Sequence, residues 1–201
     1  DADVGDTRPA VINYLAWPVV MSKPRAELHK LMDELAGLAE FHFLDRQGAD
    51  LAPSALEDPV RPTLTDADWA DALTAMRGVL TRVSDARVVV GGRTEGYKGR
   101  MPGIAEEALT ALEAAQPLFL LGGFGGCARD IAITLKLLPE PVSFVAWNGQ
   151  DEFRRFDSGA LRNGLTVDEN ATLVRTVHVD EAVAFILRGL LRLAKQPAGP
   201  F

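Results

Sequence analysis

The sequence is poor in cysteine and in positive charge. Its single cysteine, Cys127, excludes an internal disulfide framework and any zinc cluster built from several thiolates, which makes a reducing cytoplasm the expected compartment. Only 21 lysines and arginines stand against 28 aspartates and glutamates, giving a formal net charge of −7. Nucleic acids and anionic membranes are held by dense positive charge, so neither is expected as a partner.

Long apolar runs and familiar catalytic patterns are missing as well. No stretch approaches the roughly 20 apolar residues that span a bilayer, and no signal peptide opens the chain. The three histidines, His29, His42 and His178, are isolated from one another and form no metal-ligand pattern. A nucleophile elbow and a Ser-His-Asp spacing are both absent. We therefore expect a cytoplasmic protein without a metal site and without a required cofactor.

Short apolar runs alternate with helical patterns along most of the chain. The polar residues 1–9 predict a flexible lead-in, and residues 10–196 predict a single domain. Strands are predicted at Ala10–Val20, Ala39–Leu44, Ala86–Val90, Pro117–Leu121 and Pro141–Trp147. Because helices separate these strands, parallel pairing is favoured. The pattern predicts an α/β fold, a Rossmann-like three-layer parallel sheet with helices on both faces.

Two capping patterns predict where helices begin, and one strongly amphipathic pattern predicts the last helix. Thr65 with Asp68, and Thr166 with Glu169, are typical of helix starts at which side chain and backbone exchange hydrogen bonds. The last predicted helix, from Asp180, should pack on the sheet. Its apolar positions are Val183, Ile186, Leu187, Leu190, Leu191 and Leu193.

A glycine-rich, cationic loop follows the third predicted strand. Its glycines are Gly91, Gly92, Gly96, Gly99 and Gly103, and its cations are Arg93, Lys98 and Arg100. Glycines allow close backbone approach, and the N–H groups that open the following helix favour an anion. Cationic side chains beside these donors suit a phosphate or pyrophosphate. The alternative is a surface loop with solvated charges and no ligand.

The same arrangement recurs one strand later. Gly122, Gly123, Phe124, Gly125 and Gly126 follow the fourth predicted strand and precede a helix that begins with Cys127. We interpret the two loops as phosphate-sized cradles lying side by side, although glycines also serve tight turns that bind nothing. For Cys127, a small buried residue is favoured over a nucleophile.

Two carboxylates lie in the first turns of the helix after the first glycine loop. Glu106 or Glu107 is a candidate for holding a ribose, because a carboxylate can accept hydrogen bonds from two hydroxyls. Carboxylates at this position also act simply as partners of the helix dipole. Both interpretations remain open at the level of sequence.

The residues from Ser84 to Ala132 resemble the SLOG domains of prokaryotic conflict systems, a group that includes LOG- and TRPM-related domains. The resemblance rests on the loop from Gly91 through Glu107 and on Gly122–Arg129. It implies a Rossmann-like sensor of nucleotide-derived signals, commonly joined to TIR- or sirtuin-type NADase effectors. A more distant similarity is to LOG phosphoribohydrolases, which release the base from nucleoside 5′-monophosphates.

The chain departs from the LOG pattern in three places. Val90 stands where those enzymes have a proline, and Thr94–Met101 is an insertion in their motif. Arg77 is the nearest match to their catalytic arginine, and Glu106 or Glu107 matches their glutamate. The family also begins with strands that this chain lacks, so we expect it to be the carboxyl-terminal portion of a longer protein.

The combined expectation is a sensor domain that binds a cyclic ADP-ribose-like or other NAD-derived messenger. Such a domain would regulate an effector in the same chain or in a partner chain, in antiviral defence, and would act as a homo-oligomer. The alternative is a phosphoribohydrolase that uses Arg77 and Glu107. A scaffold with a vestigial pocket is the third possibility.

Overall fold

The computed structural model describes residues 9–52, 56, 62–140 and 146–195. The chain divides into two compact units, Asp1–Leu80 and Thr81–Phe201, which are described separately below.

The protein is of the mixed α/β class, with short parallel strands. The described strands are β1 (Val11–Leu15) paired with β2 (Ala39–Phe43), and β3 (Arg87–Val90) paired with β4 (Leu118–Leu121). Each pair forms a sheet of its own, so parallel pairing is confirmed while the described residues do not form one larger three-layer sheet. The predicted fifth strand lies outside them except for residues 146 and 147, which are not in a strand.

The first unit begins with a strand that is shorter and more exposed than its apolar sequence predicts. The prediction of one buried strand over Ala10–Val20 is wrong, because β1 ends at Leu15 and helix α1 (Trp17–Ser22) follows. Pro18 lies in the first turn of α1, where its missing N–H costs no hydrogen bond. Val11 and Ile12 are about half exposed, which does not fit a strand buried on both faces.

Two further helices complete the first unit. Helix α2 (Arg25–Glu34) joins β1 and β2, and helix α3 (Asp66–Val83) follows them. At the start of α3, the Asp68 N–H donates to Thr65 Oγ1 at 3.2 Å, and the Thr65 N–H donates to Asp68 Oδ2 at 2.9 Å. The predicted cap is therefore confirmed, and these bonds hold the pKa of Asp68 below its usual value.

The second unit is built around β3 and β4. Its helices are α4 (Gly103–Glu113), α5 (Gly126–Thr134), α6 (Val167–Leu173) and α7 (Val179–Ala194), with 3₁₀ helices at Gln150–Arg155 and Ser158–Leu161. The helical pattern predicts a helix over Cys127–Leu138, but α5 ends at Thr134, and Lys136 follows it with a φ of 61°.

Strand β4 is buried on both faces. Leu118 and Leu120 belong to a cluster with residues of α4 and α5, while Phe119 and Leu121 pack with residues of α6 and α7. Successive side chains of a strand point to opposite faces, so these four residues serve two cores. Burial of each such side chain stabilises the fold by about 1.5–3 kcal/mol. This strand therefore sets the position of the loop that follows it.

Helix α7 packs on β4 as predicted, but through a narrower face. Ala182, Phe185, Ile186 and Leu190 join the cluster around Phe119 and Leu121. Val183, Leu187 and Leu191, which were also predicted to pack, are about half exposed. No helix in the described part of the chain has both the length and the apolar character that crossing a bilayer requires.

A carboxylate on α6 ties this helix to α7. Glu169 accepts the Thr166 N–H at 2.9 Å, which confirms the predicted capping box. It also accepts bonds from Arg188 at 3.0 Å and from Arg192. These donors, Arg192 first, lower the pKa of Glu169 to about 2.

Replacing Glu169 with glutamine is predicted to make stability less dependent on acid pH. Because the folded pKa of about 2 lies below the ordinary 4.5, the ion pairs stabilise the fold above pH 4.5 and are lost as the pH falls toward 2. Glutamine keeps the capping geometry, so E169Q should lower Tm at pH 7 and converge with the wild type near pH 2. Each exposed pair contributes about 0.2–1 kcal/mol. Thermal melts of the wild type, E169Q and the control Glu181→Gln between pH 2 and pH 7 measure this effect. A difference in Tm between the wild type and E169Q that does not change with pH would contradict the prediction.

Candidate functional site

The two glycine loops begin side by side at the same edge of the second sheet. In the parallel register of β3 and β4, Val90 lies opposite Leu121. The first loop leaves β3 at Gly91, and the second leaves β4 at Gly122 in a 3₁₀ turn that ends at Phe124. The carboxyl ends of parallel strands are where open α/β sheets bind ligands. The predicted pairing of the loops is therefore present.

Backbone hydrogen bonds join the two loops directly. The Cys127 N–H donates to the Gly92 oxygen at 3.0 Å, and the Ala128 N–H donates to the Gly91 oxygen at 2.8 Å. Both donors lie in the first turn of α5, where helical N–H groups lack partners within the helix. These two groups are consequently used inside the protein. The two loops therefore form one structure. The second loop does not provide a separate anion site at the start of α5.

Close packing explains four of the glycines. A Cβ on Gly126 would lie 2.4 Å from the Gly92 oxygen, and one on Gly123 would lie 2.0 Å from the Thr176 oxygen. Gly92 and Gly122 are similarly crowded by Ile104 and by the Val174 oxygen. At these four positions glycine lets one segment of the chain approach another.

Three loop glycines instead border open space, because at Gly96, as at the two described next, an added Cβ would meet nothing within 4 Å. At Gly91 and Gly125 an added Cβ would meet nothing within 4 Å, and both residues have positive φ, at 61° and 79°. Gly91 lies in the first loop and Gly125 at the start of α5. The backbone at these two positions is therefore accessible to a ligand. Gly103, another glycine of the first predicted loop, is the first residue of α4.

The three predicted cations differ in their surroundings. Arg93 is exposed, and no hydrogen bond or ion pair links it to another residue in the part of the chain that the structure describes. The Arg100 Nη2 lies 3.5 Å from Glu106 Oε1, with the arginine largely exposed and the carboxylate buried. Lys98 is exposed. Arg93 is thus the cation best suited to take a new anionic partner.

Both predicted ribose-binding carboxylates have arginine partners. Glu106 pairs with Arg100, as above, and Glu107 Oε2 lies 3.5 Å from Nη1 of Arg87, the first residue of β3. Sequence reasoning missed Arg87, whose position at the start of a strand gave no signal of a contact with α4. Arg77, the alternative catalytic arginine, is a buried residue of α3 in the first unit. The roles of these residues in binding or catalysis stay predictions.

Cys127 is a buried structural residue. The Ala105 N–H, in the first turn of α4, donates to its thiol, and burial raises the pKa of the thiol to about 12. The nearby Asp130 carboxylate is the second cause of this rise. A thiol with so high a pKa is a poor nucleophile. Within the described ranges, no group of three histidine, cysteine, aspartate or glutamate side chains is arranged to hold a metal ion.

A cavity of about 400 Å³ adjoins the first loop. It is lined by Thr94, Glu95, Gly96, Tyr97, Ala146, Trp147 and Asn148. Sequence reasoning did not select Tyr97 or Asn148, although Asn148 directly follows the predicted fifth strand. A larger cavity of about 800 Å³ lies at the opposite end of α5, against Thr134 and Leu135, away from the glycine loops.

One comparison with known proteins gives a match. The model of the family described as SLOG cluster2 matches residues 1–157, a range that contains both glycine loops and ends before α6. Neither the curated proteins nor the solved structures gave a match to this chain.

Gly126→Ala is predicted to destabilise the second unit more than Gly96→Ala does. Both glycines have nearly the same φ, 62° and 61°, so both alanines carry the same backbone strain. Only at Gly126 would the methyl group meet the Gly92 oxygen, whereas at Gly96 it meets nothing within 4 Å. We expect G126A to lower the free energy of unfolding by about 1–3 kcal/mol more than G96A. Urea denaturation measures both, and equal losses would contradict the close approach of the loops.

Proposed function

The chain belongs to the SLOG cluster2 family, and from that premise we propose that it is a sensor domain for a nucleotide-derived second messenger. A cyclic ADP-ribose-like or other NAD-derived molecule is the proposed ligand class. The single observation that carries the proposal is the combination, at one sheet edge, of accessible glycine backbone with the exposed Arg93, which has no protein partner among the described residues.

The phosphate of the ligand would lie over Gly91 and Gly125. Both have positive φ, and an added Cβ at either would meet nothing within 4 Å, so a phosphate could approach the backbone closely there. Arg93 would donate to the phosphate from the first loop, with charge-assisted bonds. Lys98 and Arg100 would add positive potential. The protein as a whole is acidic, so this attraction must be local.

The ion pair between Arg100 and Glu106 could change when the ligand binds. Arg100 covers a buried carboxylate at the start of α4. A phosphate that attracts Arg100 would move this side chain away from Glu106 and leave the carboxylate accessible to a ribose hydroxyl. Binding of the phosphate and of the ribose would then both depend on a movement of the loop. Such a rearrangement would then be passed to an effector.

We further propose the setting in which this sensor acts. The effector would be a TIR- or sirtuin-type NADase, or a similar domain, in the same chain or a partner chain. The domain would act in the cytoplasm, as a homo-oligomer, in antiviral defence. No nucleic acid or membrane takes part in this proposal, since the charge of the chain opposes both.

Arg93→Ala is predicted to weaken the binding of ADP-ribose. Loss of one hydrogen bond to a charged group costs about 1.5–3 kcal/mol, or roughly 10- to 150-fold in affinity. The exposed Arg82→Ala, on α3, removes the same charge outside the site and should leave the affinity unchanged. Calorimetric titration of the wild type and both variants measures the effect. Equal affinities for R93A and the wild type would remove Arg93 from the site.

The same preparation distinguishes a sensor from a hydrolase. The wild type is incubated with AMP and the products are separated by chromatography. Recovery of intact AMP is the expected result. Release of free adenine would overturn the sensor and support the phosphoribohydrolase with Arg77 and Glu107.

A further inference from the structure

The cavity beside the first glycine loop has walls held in place by contacts within the second unit. The Asn148 side-chain amide donates to the Arg100 oxygen, and Gly149 packs closely against Met101. Trp147 donates from its indole N–H to Asp130 Oδ2 at 3.2 Å and meets Phe153 edge to face. The segment that carries Trp147 and Asn148 is thus fixed against the loop and against α5.

Four polar groups of the residues that line this cavity have no hydrogen-bond partner among the described residues. In the ranges that the structure describes, no other residue makes a hydrogen bond with Thr94 Oγ1, the Glu95 carboxylate, the Tyr97 hydroxyl or the Asn148 side-chain oxygen. Three of these four groups lie within four consecutive residues of the insertion. Their donors and acceptors are therefore available to a ligand, and the Tyr97 ring offers an aromatic surface among them.

Size and position suit the nucleoside part of a nucleotide. A volume of about 400 Å³ falls in the lower part of the range for small-molecule sites, about 300–1,000 Å³. Gly91 and Gly96 are five residues apart, so their Cα atoms lie within about 18 Å of each other. The cavity is therefore close to the backbone at which the phosphate is proposed to bind.

We propose that this cavity is the nucleoside subsite, a step that rests on the proposed function of the glycine loops. The base stacks on the Tyr97 ring, and the Asn148 oxygen accepts a hydrogen bond from an exocyclic amine. The Glu95 carboxylate accepts hydrogen bonds from the hydroxyls of the ribose that carries this base, while Glu106 serves the second ribose of an ADP-ribose-like ligand. The insertion Thr94–Met101 thereby supplies recognition of the nucleoside, while Gly91 and Arg93 bind phosphate.

The test compares AMP with ribose 5-phosphate, which lacks the base, on three proteins. Calorimetry is carried out on the wild type, on Tyr97→Ala and on Tyr97→Phe, which keeps the ring. Stacking of a base on an aromatic side chain predicts that Y97A weakens AMP binding by about tenfold and leaves ribose 5-phosphate unchanged. Y97F should retain most of the affinity for AMP. Far-ultraviolet circular dichroism checks that all three proteins are folded.

The possible outcomes separate this subsite from the function on which it rests. If the wild type binds ribose 5-phosphate as tightly as AMP, or if Y97A weakens both to the same degree, the subsite is overturned and phosphate binding stands. If the wild type binds neither compound nor ADP-ribose, both the proposed function and the subsite are overturned.

A second pair of variants serves if Y97A does not fold. Asn148→Asp keeps the acceptor oxygen and Asn148→Leu removes it, so the two variants provide the same comparison. Retained AMP selectivity in N148D and lost selectivity in N148L would support the subsite, and equal behaviour would contradict it.

Discussion

Two hydrogen bonds between the glycine loops determine how this site can work. They run from the first turn of α5, at Cys127 and Ala128, to the carbonyl oxygens of Gly92 and Gly91. A helix start needs acceptors for its N–H groups, and here the neighbouring loop supplies them. The two loops can come this close because Gly126 has no side chain, since a Cβ there would lie 2.4 Å from the Gly92 oxygen. The first loop is consequently fixed against the second, and its geometry depends on α5.

This arrangement divides the glycines into those that are packed against other backbone and those that border open space. Gly123 and Gly126 are packed against other backbone, whereas Gly91 and Gly125 are open. In the proposed complex, an anion would therefore be bound by the open backbone and Arg93 more than by the end of α5. The buried Glu106 beneath Arg100 places the group best suited to ribose next to the same loop.

Patterns among neighbouring residues predicted most strands and helices of the second unit. The features that these patterns did not predict depend on contacts between residues far apart in the sequence. A β-branched run, a glycine cluster and a helical period are properties of neighbouring residues, so β3, β4 and both glycine loops were predicted almost within their observed limits. The bond from Cys127 to Gly92 joins residues 35 positions apart, and no local pattern contains it. Exposure of Leu187 and the early end of β1 depend in the same way on what packs nearby. The cavity at Tyr97 was missed because its walls come from two separate segments.

In the proposed complex, a nucleotide-derived ligand lies at the edge where the two glycine loops meet. Hydrogen–deuterium exchange, followed by mass spectrometry with and without ADP-ribose, can locate the bound ligand. Binding at this edge should slow exchange in peptides that contain Gly91–Tyr97 and Gly122–Gly126 and leave α6 and α7 unchanged. Protection confined to the far end of α5, around Thr134 and Lys136, or no protection at a concentration of ADP-ribose that saturates binding, would contradict it.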